Sequence, residues 1–209
     1  TVYATPAGQT REVVLADGTR VRLGAQSRMS VTLRRDRREV ALQDAEAFFD
    51  VAHDAKRPFV IATGDTAIRV VGTRFAVRAR GGETDVSVDR GVVEVGPAEG
   101  GRRVRLTRGQ RAERAGDGPL AVSAAQPDAD YGWVDRARAY RQAPLSRVVA
   151  DMSRDLGVPI RITDSAVAAR PFTGVMRLDA DTPTLMRRLS AFAAVSVWPE
   201  GAGYEVSRQ

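Results

Sequence analysis

The chain has 209 residues, 43% of them apolar, so it is long enough to bury one large core or two smaller ones. It contains one histidine and no cysteine, which excludes a disulfide framework, a thiolate metal site and a cysteine nucleophile. The net charge of +6 comes from arginine, since Lys56 is the only lysine. Neither a signal peptide nor a run of about 18 apolar residues is present, so no membrane contact is required of these residues.

The first part of the chain, residues 1–123, is predicted to be an all-β domain. Its apolar residues alternate with polar ones in short bursts separated by turn residues, which is typical of half-buried strands. The predicted strands are residues 12–15, 20–23, 30–33, 39–42, 59–62, 67–71, 74–78, 85–89, 92–95, 103–106 and 110–113. Asp17-Gly18 and Asp89-Arg90-Gly91 predict hairpin turns, because glycine adopts positive φ without strain. Many short antiparallel strands indicate a sandwich, a barrel or a β-solenoid.

A cluster of arginines lies between two of these strands. Arg34, Arg35, Arg37 and Arg38 alternate with acidic residues there, which predicts a charged hairpin tip exposed to solvent. The other arginines mostly alternate with apolar residues along strands or adjoin acidic residues, and they are not grouped with aromatic residues. The sequence therefore does not predict a nucleic-acid-binding face.

The pattern changes after residue 123. Residues 124–130 are rich in Ala, Pro and Asp and are predicted to be a linker to a second domain, residues 131–209. One apolar stripe predicts a helix with Pro144 in its first turn and Gly157 as its C-terminal cap. The stripe consists of Leu145, Val148, Val149, Met152 and Leu156. A second stripe, Leu185, Leu189 and Phe192, predicts another helix, with Thr182 as its N-cap and Pro183 at its first position.

The second domain is predicted to be a doubled strand-helix-strand unit of βαββαβ type, with both helices on one face of a small mixed sheet. A shift of forty residues superposes Leu145 on Leu185 and Met152 on Phe192. The segments predicted as strands are residues 137–141, 158–163, 172–178, 195–198 and 204–207. Such a sheet leaves edges and one face for another element to cover.

No catalytic, cofactor or metal site is predicted. His53 has no second histidine or cysteine with which to bind a metal, and Lys56 lies in the same loop, away from any serine motif. Carboxylate pairs such as Asp44 with Glu46, or Asp179 with Asp181, have the spacing of ordinary solvated turns. No glycine-rich segment leads into Lys-Ser or Lys-Thr, so no nucleotide site is expected.

Five segments of the first domain resemble, in order, the signatures of the FecR family of transmembrane anti-sigma regulators. They are Leu-Ala-Asp-Gly-Thr-Arg-Val-Arg-Leu at 15–23, Ala-Phe-Phe-Asp-Val-Ala at 47–52, Arg-Pro-Phe-Val at 57–60, Gly-Thr-Arg-Phe-Ala-Val at 72–77 and Val-Ser-Val-Asp-Arg-Gly-Val-Val-Glu-Val at 86–95. The family usually has Gly-Glu where this chain has Ala45-Glu46. The second domain is similar to the family's short C-terminal domain, which resembles the short N-terminal domain of secretins and TonB receptors.

The resemblance implies a periplasmic, non-enzymatic signalling region. In such a relay a TonB-dependent outer-membrane receptor, loaded with a ferric siderophore or similar substrate, presents its signalling domain to the C-terminal domain. Proteolysis or rearrangement of the full-length regulator then releases an extracytoplasmic-function sigma factor. The family's cytoplasmic helices and transmembrane helix are not in these residues, so a sigma factor is expected to be reached only through a region outside them.

The predicted receptor-binding surface lies on the strand at residues 172–178 and its neighbours. Alternation places Phe172 and Met176 on one face and Val175 and Arg177 on the other, and an outward Val beside an Arg suits a contact hot spot. The candidate partner-binding residues are Phe172, Val175, Met176, Arg177, Trp198 and Tyr204.

Two other functions fit parts of the pattern. An envelope module that binds carbohydrate or another polymer would show exposed, coplanar aromatic residues on one sheet face. A hydrolase would show a deep cleft that holds two carboxylates. Either feature would count against the signalling interpretation.

Overall fold

The computed structural model describes residues 1–209, and its first half is a β-sandwich of fourteen strands. In chain order these are β1 (Val2–Thr5), β2 (Arg11–Val14), β3 (Arg20–Leu23), β4 (Ser27–Leu33), β5 (Arg38–Gln43), β6 (Ala45–Asp50), β7 (Phe59–Thr63), β8 (Thr66–Val70), β9 (Arg74–Arg80), β10 (Glu83–Arg90), β11 (Val92–Pro97), β12 (Val104–Thr107), β13 (Gln110–Ala115) and β14 (Ala121–Ala124). One seven-stranded sheet has the order β1-β4-β5-β7-β8-β11-β12, and the other has the order β14-β13-β10-β9-β6-β3-β2. Neighbouring strands are antiparallel except for β5 and β7.

The two sheets enclose a single core of 24 buried residues. Of the three predicted architectures, the domain is therefore a sandwich, not a barrel or a β-solenoid. Phe49 and Phe75 stack at its centre, with ring centroids 5.3 Å apart. The turn at Gly18 (φ 85°) joins β2 to β3 as predicted. The predicted hairpin at Asp89-Arg90-Gly91 is wrong, because β10 and β11 belong to opposite sheets and Gly91 (φ 94°) carries the chain across the sandwich.

The charged hairpin tip joins β4 to β5 as predicted, but one of its arginines is not solvated. Arg38 is fully buried, and its guanidinium donates to Asp17 Oδ2 at 2.9 Å and to the carbonyl oxygens of Arg57 and Ala52 at 2.8 Å. This buried ion pair ties three turns together at one end of the sandwich.

The C-terminal α+β unit contains every predicted helix and strand, in two sheets where one was predicted. Its elements are β15 (Ala137–Pro144), α2 (Leu145–Leu156), β16 (Ile160–Ile162), α3 (Ser165–Ala168), β17 (Pro171–Arg177), α4 (Thr182–Ala193), β18 (Val195–Glu200) and β19 (Gly203–Arg208), preceded by α1 (Pro127–Asp130) and a 3₁₀ turn (Gly132–Asp135). β15 pairs with β17, and the other sheet has the order β16-β19-β18. Helices α2 and α4 each contact strands of both sheets, around a second core of 16 buried residues.

The stripe predicted for α2 forms its buried face, and Gly157 (φ 68°) ends the helix as predicted. In α4 two predictions are wrong. The N-cap is Asp181, whose carboxylate accepts from the Thr184 backbone N–H at 2.8 Å. Phe192 is 63% exposed because the buried face of α4 consists of Leu185, Met186, Leu189 and Ala193, and Phe192 lies to one side of that face. Each helix has only 12 residues, and every helix of the chain is too short or too polar to span a lipid bilayer.

Residues 124–130, the predicted linker, are packed against the sandwich. Ala124 is the last residue of β14, and residues 127–130 form α1. The Asp130 carboxylate accepts from Ser87 Oγ at 2.7 Å and from Arg111 at 3.0 Å. The segment after α1 places Trp133 on Phe48 and Ala76, on the outer face of β6 and β9.

Candidate interaction surface and the junction with the β-sandwich

Strand β17 has one free edge. It pairs with β15 alone, so no strand covers the backbone N–H and C=O groups along its second edge. Its side chains alternate as predicted, with Phe172 and Met176 in the C-terminal core and Thr173, Val175 and Arg177 exposed. Val175 is 51% exposed, which is a large fraction for a valine in the middle of a strand.

The neighbouring strand leaves Val175 uncovered. Its cross-strand partner is Ala139, which is too small to shield it. The pairing shifts after Tyr140, where Gln142 has positive φ (51°) and donates from its backbone N–H to Thr173 Oγ1 at 3.0 Å. This bulge holds β17 in place while its outer side stays open.

The six predicted partner-binding residues do not form one patch. Trp198 is exposed on the outer face of β18, opposite Glu205, whereas Tyr204 is half-buried and packs against the C-terminal core. Since β17 and β18 belong to different sheets, Val175 with Arg177 and Trp198 lie on separate surfaces. The other three predicted residues, Phe172, Met176 and Tyr204, support these surfaces from inside.

Only two aromatic side chains are largely exposed, Phe192 on α4 and Trp198 on β18. They lie on different elements, so no sheet face carries the row of aromatic residues that would favour a carbohydrate-binding module. Sequence reasoning missed Phe192 as a surface residue because its phase in α4 matches that of buried Leu185 and Leu189.

The C-terminal unit is joined to the sandwich by a buried ion-pair network centred on Arg138 of β15. Its guanidinium donates to both carboxylate oxygens of Glu46 on β6, at 3.1 and 2.7 Å, and to Asp155 on α2, at 2.5 and 3.1 Å. The side chains of Arg138 and Glu46 are 7% and 4% exposed. Such a two-bonded pair fixes orientation as well as distance.

A second arginine completes the network. Arg78 on β9 donates to Asp151 Oδ1 on α2 at 2.8 Å and lies 3.6 Å from Glu46. Asp151 also accepts from Tyr140 Oη at 3.4 Å. The pKa of Glu46 reflects this setting: burial alone would raise it, and the charges of Arg138 and Arg78 outweigh burial and lower it to about 2. Glu46 is therefore ionised at neutral pH.

A polar cavity of about 310 Å³ lies beside this network. Arg111 crosses it and lies within ion-pair distance of Asp85, Asp130 and Glu113. Each carboxylate that lines the cavity thus has an arginine partner.

A third contact between the two units involves close backbone approach. Gly8, in the loop between β1 and β2, donates from its N–H to the Arg154 carbonyl oxygen of α2 at 2.7 Å. A Cβ on Gly8 would lie 3.3 Å from the Gly157 backbone, and one on Gly157 would lie 3.2 Å from Ala7 and Gly8. Both glycines have positive φ, so neither position favours a side chain.

The sandwich has the features of a known family. Residues 1–94 match the family model described as FecR protein. This part of the chain is FecR-like. The match confirms the resemblance that the five sequence segments predicted, and it covers the strands from β1 into β11. No curated protein matches this chain in sequence.

Two solved structures share the whole fold. Both are crystal structures, at 1.65 and 2.50 Å resolution, of a candidate anti-sigma factor from Parabacteroides distasonis ATCC 8503. Each superposes on this chain with a TM-score of 0.89 and 23% identity, and the alignment covers 100% of this chain and 99% of the other. The arrangement of sandwich and α+β unit is therefore a shared architecture.

Sequence reasoning did not find the Glu46–Arg138 junction. In the sequence, Glu46 was noted only as a carboxylate near Asp44 and as the second residue of Ala45-Glu46, where the FecR family usually has Gly-Glu. The available signal was Arg138, a charged residue at an inward position of β15, between the small residues Ala137 and Ala139. A buried charge of this kind requires a partner.

Proposed function

We propose that this chain is the signal-receiving, periplasmic region of a membrane-anchored anti-sigma regulator, and that it acts by protein contact and not by catalysis. The FecR match supports the regulatory class, and the end-to-end likeness to a candidate anti-sigma factor supports the arrangement of the two units. The sigma factor is reached through a region outside these residues.

The partner proposed for the C-terminal unit is the periplasmic signalling domain of a TonB-dependent outer-membrane receptor that carries a ferric siderophore or a similar substrate. The free edge of β17 is the observation that carries this proposal. An unpaired strand accepts a strand of a partner through backbone hydrogen bonds, and alternate outward side chains give specificity. Here those side chains are Thr173, Val175 and Arg177.

Val175 is the proposed centre of the contact. It is the only largely exposed apolar side chain of the β15–β17 sheet, and Arg177, which is also exposed, flanks it. Arginine is enriched at interface hot spots, and an apolar centre surrounded by polar groups is the usual arrangement of an interface. Binding would trigger proteolysis or rearrangement of the full-length regulator.

The test is the affinity of Val175→Asp for the signalling domain of the cognate receptor, measured by isothermal titration calorimetry. A charge in a paired interface costs about 2 kcal/mol or more, which is about thirtyfold in Kd. Val14→Asp is the matched control, because Val14 is a 64% exposed strand valine on β2 of the sandwich. Circular dichroism checks that both variants are folded. Equal affinity for the wild type and a folded Val175→Asp would remove β17 from the site, and binding to residues 1–123 alone would remove the whole C-terminal unit.

A further inference from the structure

The turns at the two ends of the β-sandwich differ in charge. At one end lie the turns β2–β3, β4–β5, β6–β7, β8–β9 and β12–β13, as the register of the paired strands shows. Five exposed basic side chains in or beside these turns have no carboxylate within ion-pair distance. These are Arg20, Arg34, Arg35, Lys56 and Arg108, and we call them the basic end.

The fold creates this cluster from separate parts of the sequence. β5 and β7 are parallel and in register from Arg38 and Phe59 onward, so the loop before β7 lies beside the β4–β5 tip. The Arg38 backbone N–H donates to the Pro58 carbonyl oxygen at 3.3 Å, which ties the two turns together. Lys56 is thereby brought beside Arg34 and Arg35, about twenty residues earlier in the chain.

Acidic residues at the basic end are largely neutralised within the protein. Asp54 pairs with Arg57 at 2.7 Å, and Asp50 pairs with Arg90 at 3.2 Å. Among the carboxylates of the turns there, Asp36 is the one without an ion-pair partner. The uncompensated charge is therefore strongly positive.

The opposite end is closer to balanced. Its turns carry five exposed acidic residues, Asp44, Asp65, Glu83, Glu99 and Asp117, and the exposed Arg28, Arg102 and Arg103 lie in or beside the same turns. Asp44 also pairs with Arg80 at 3.5 Å. The loop around Gly8 at this end also contacts the C-terminal unit. At the basic end, the segment after β14 contacts the β12–β13 turn, where the Ala125 N–H donates to the Gly109 carbonyl oxygen at 2.8 Å. A sandwich with this polarity orients in an electric field, with its basic end toward negative charge.

We propose that the basic end binds the surface of a lipid bilayer that contains anionic headgroups. Its cations lie on separate turns and no exposed aromatic side chain accompanies them, which disfavours single-stranded nucleic acid, whose bases stack on aromatic rings. Val71 is the only large apolar side chain exposed there, so the end lacks the apolar centre of a protein hot spot. A surface of many equal negative charges fits a dispersed set of cations. This contact is independent of receptor binding by β17.

The test is co-sedimentation of the chain with vesicles of phosphatidylcholine containing 30% phosphatidylglycerol, compared with pure phosphatidylcholine. We expect binding only to the anionic vesicles. We also expect that binding to be lost in 0.5 M NaCl, because salt at this concentration screens the attraction between exposed arginine or lysine side chains and lipid headgroups. The triple variant Arg34→Gln, Arg35→Gln and Lys56→Gln should bind at least tenfold more weakly. The matched control removes three exposed arginines from the opposite half of the sandwich, Arg28→Gln, Arg102→Gln and Arg103→Gln, and should bind as the wild type does.

Three outcomes would overturn the proposal. They are equal binding to neutral vesicles, equal weakening by the two triple variants, and an absence of vesicle binding together with tight binding of a 20-nucleotide DNA strand. The last would assign the basic end to nucleic acid. Melting temperatures of both variants, measured by circular dichroism, show that each retains the fold.

Discussion

Glu46 and Arg138, 92 positions apart in the sequence, form two hydrogen bonds through their paired oxygens and nitrogens at the boundary between the sandwich and the C-terminal unit. Both side chains are almost fully buried, so each requires an opposite charge close by. Their pairing fixes the orientation of the C-terminal unit relative to the sandwich.

Replacing Glu46 by Gln should destabilise the protein strongly. Removal of one partner leaves the buried Arg138 with Asp155 alone, and breaking a buried pair in this way costs about 3 kcal/mol. Urea unfolding gives the free energy of unfolding directly. Glu39→Gln, at the exposed pair with Arg37, is the control and should change it by less than about 1 kcal/mol. A similar small change for both variants would contradict the structural role of Glu46.

Acid should unfold the wild type through Glu46. Its pKa falls from the ordinary 4.5 in the unfolded chain to about 2 in the folded one, so its contribution is complete above about pH 4.5 and is lost as the pH falls toward 2. Urea midpoints measured between pH 2.5 and 6 should fall with acid in the wild type. In Glu46→Gln that slope should be shallower, and an unchanged slope would show that other carboxylates carry the acid sensitivity.

The structure assigns the N-cap of α4 to Asp181, whereas the sequence pattern predicted the adjacent Thr182. Asp181→Ala removes the acceptor for the Thr184 N–H and should cost about 1 kcal/mol of unfolding free energy. Thr182→Ala removes the residue that the sequence pattern suggested as the cap, and should change stability by less than about 0.5 kcal/mol. Thermal melts of the two variants decide between them, and the reverse order of stability would restore Thr182 as the cap.

Residues 1–123 and 131–209 are proposed as two domains, and protease sensitivity between them should depend on Asp130. In the wild type its carboxylate anchors α1 to Ser87 and Arg111, so thermolysin should cut residues 124–130 slowly. Asp130→Asn weakens both contacts and should accelerate cleavage there several-fold, leaving two stable fragments. Asp128→Asn, on the exposed side of the same helix, is the control. Cleavage first inside α2 would argue against the domain boundary.

Exposure explains the outcome of sequence reasoning for several strands, although the exposed edge strands β1 and β14 were also absent from the predicted strands. Strands with one solvated face, such as β3 and β7, show clean alternation and were predicted within a residue or two. β6 reads Ala-Glu-Ala-Phe-Phe-Asp and was absent from the predicted strands, because both of its faces are covered. Its outer face meets Arg138 and Trp133, and no local pattern reports a partner that distant.

Part of the interaction surface could be predicted because it depends on local alternation along one strand. Alternation along residues 172–178 identified Val175 and Arg177 as outward, since period two is a local property of a strand. The division of the predicted residues between two sheets depends on pairing β15 with β17, and the sequence pattern allowed a single sheet equally well. Phe192 lies close in helical phase to Leu185, but the buried face of α4 also includes Met186 and Ala193, which places Phe192 outside that face.

The contact between Gly8 and Gly157 has a mechanical consequence. Because the Gly8 backbone is bonded to α2, the loop that follows β1 and the helix of the other unit must move together, and the backbone path through residues 124–136 is bypassed. Tension applied to β1 would then reach the C-terminal unit directly through this hydrogen bond, in addition to the side-chain contacts of Arg138 and Arg78.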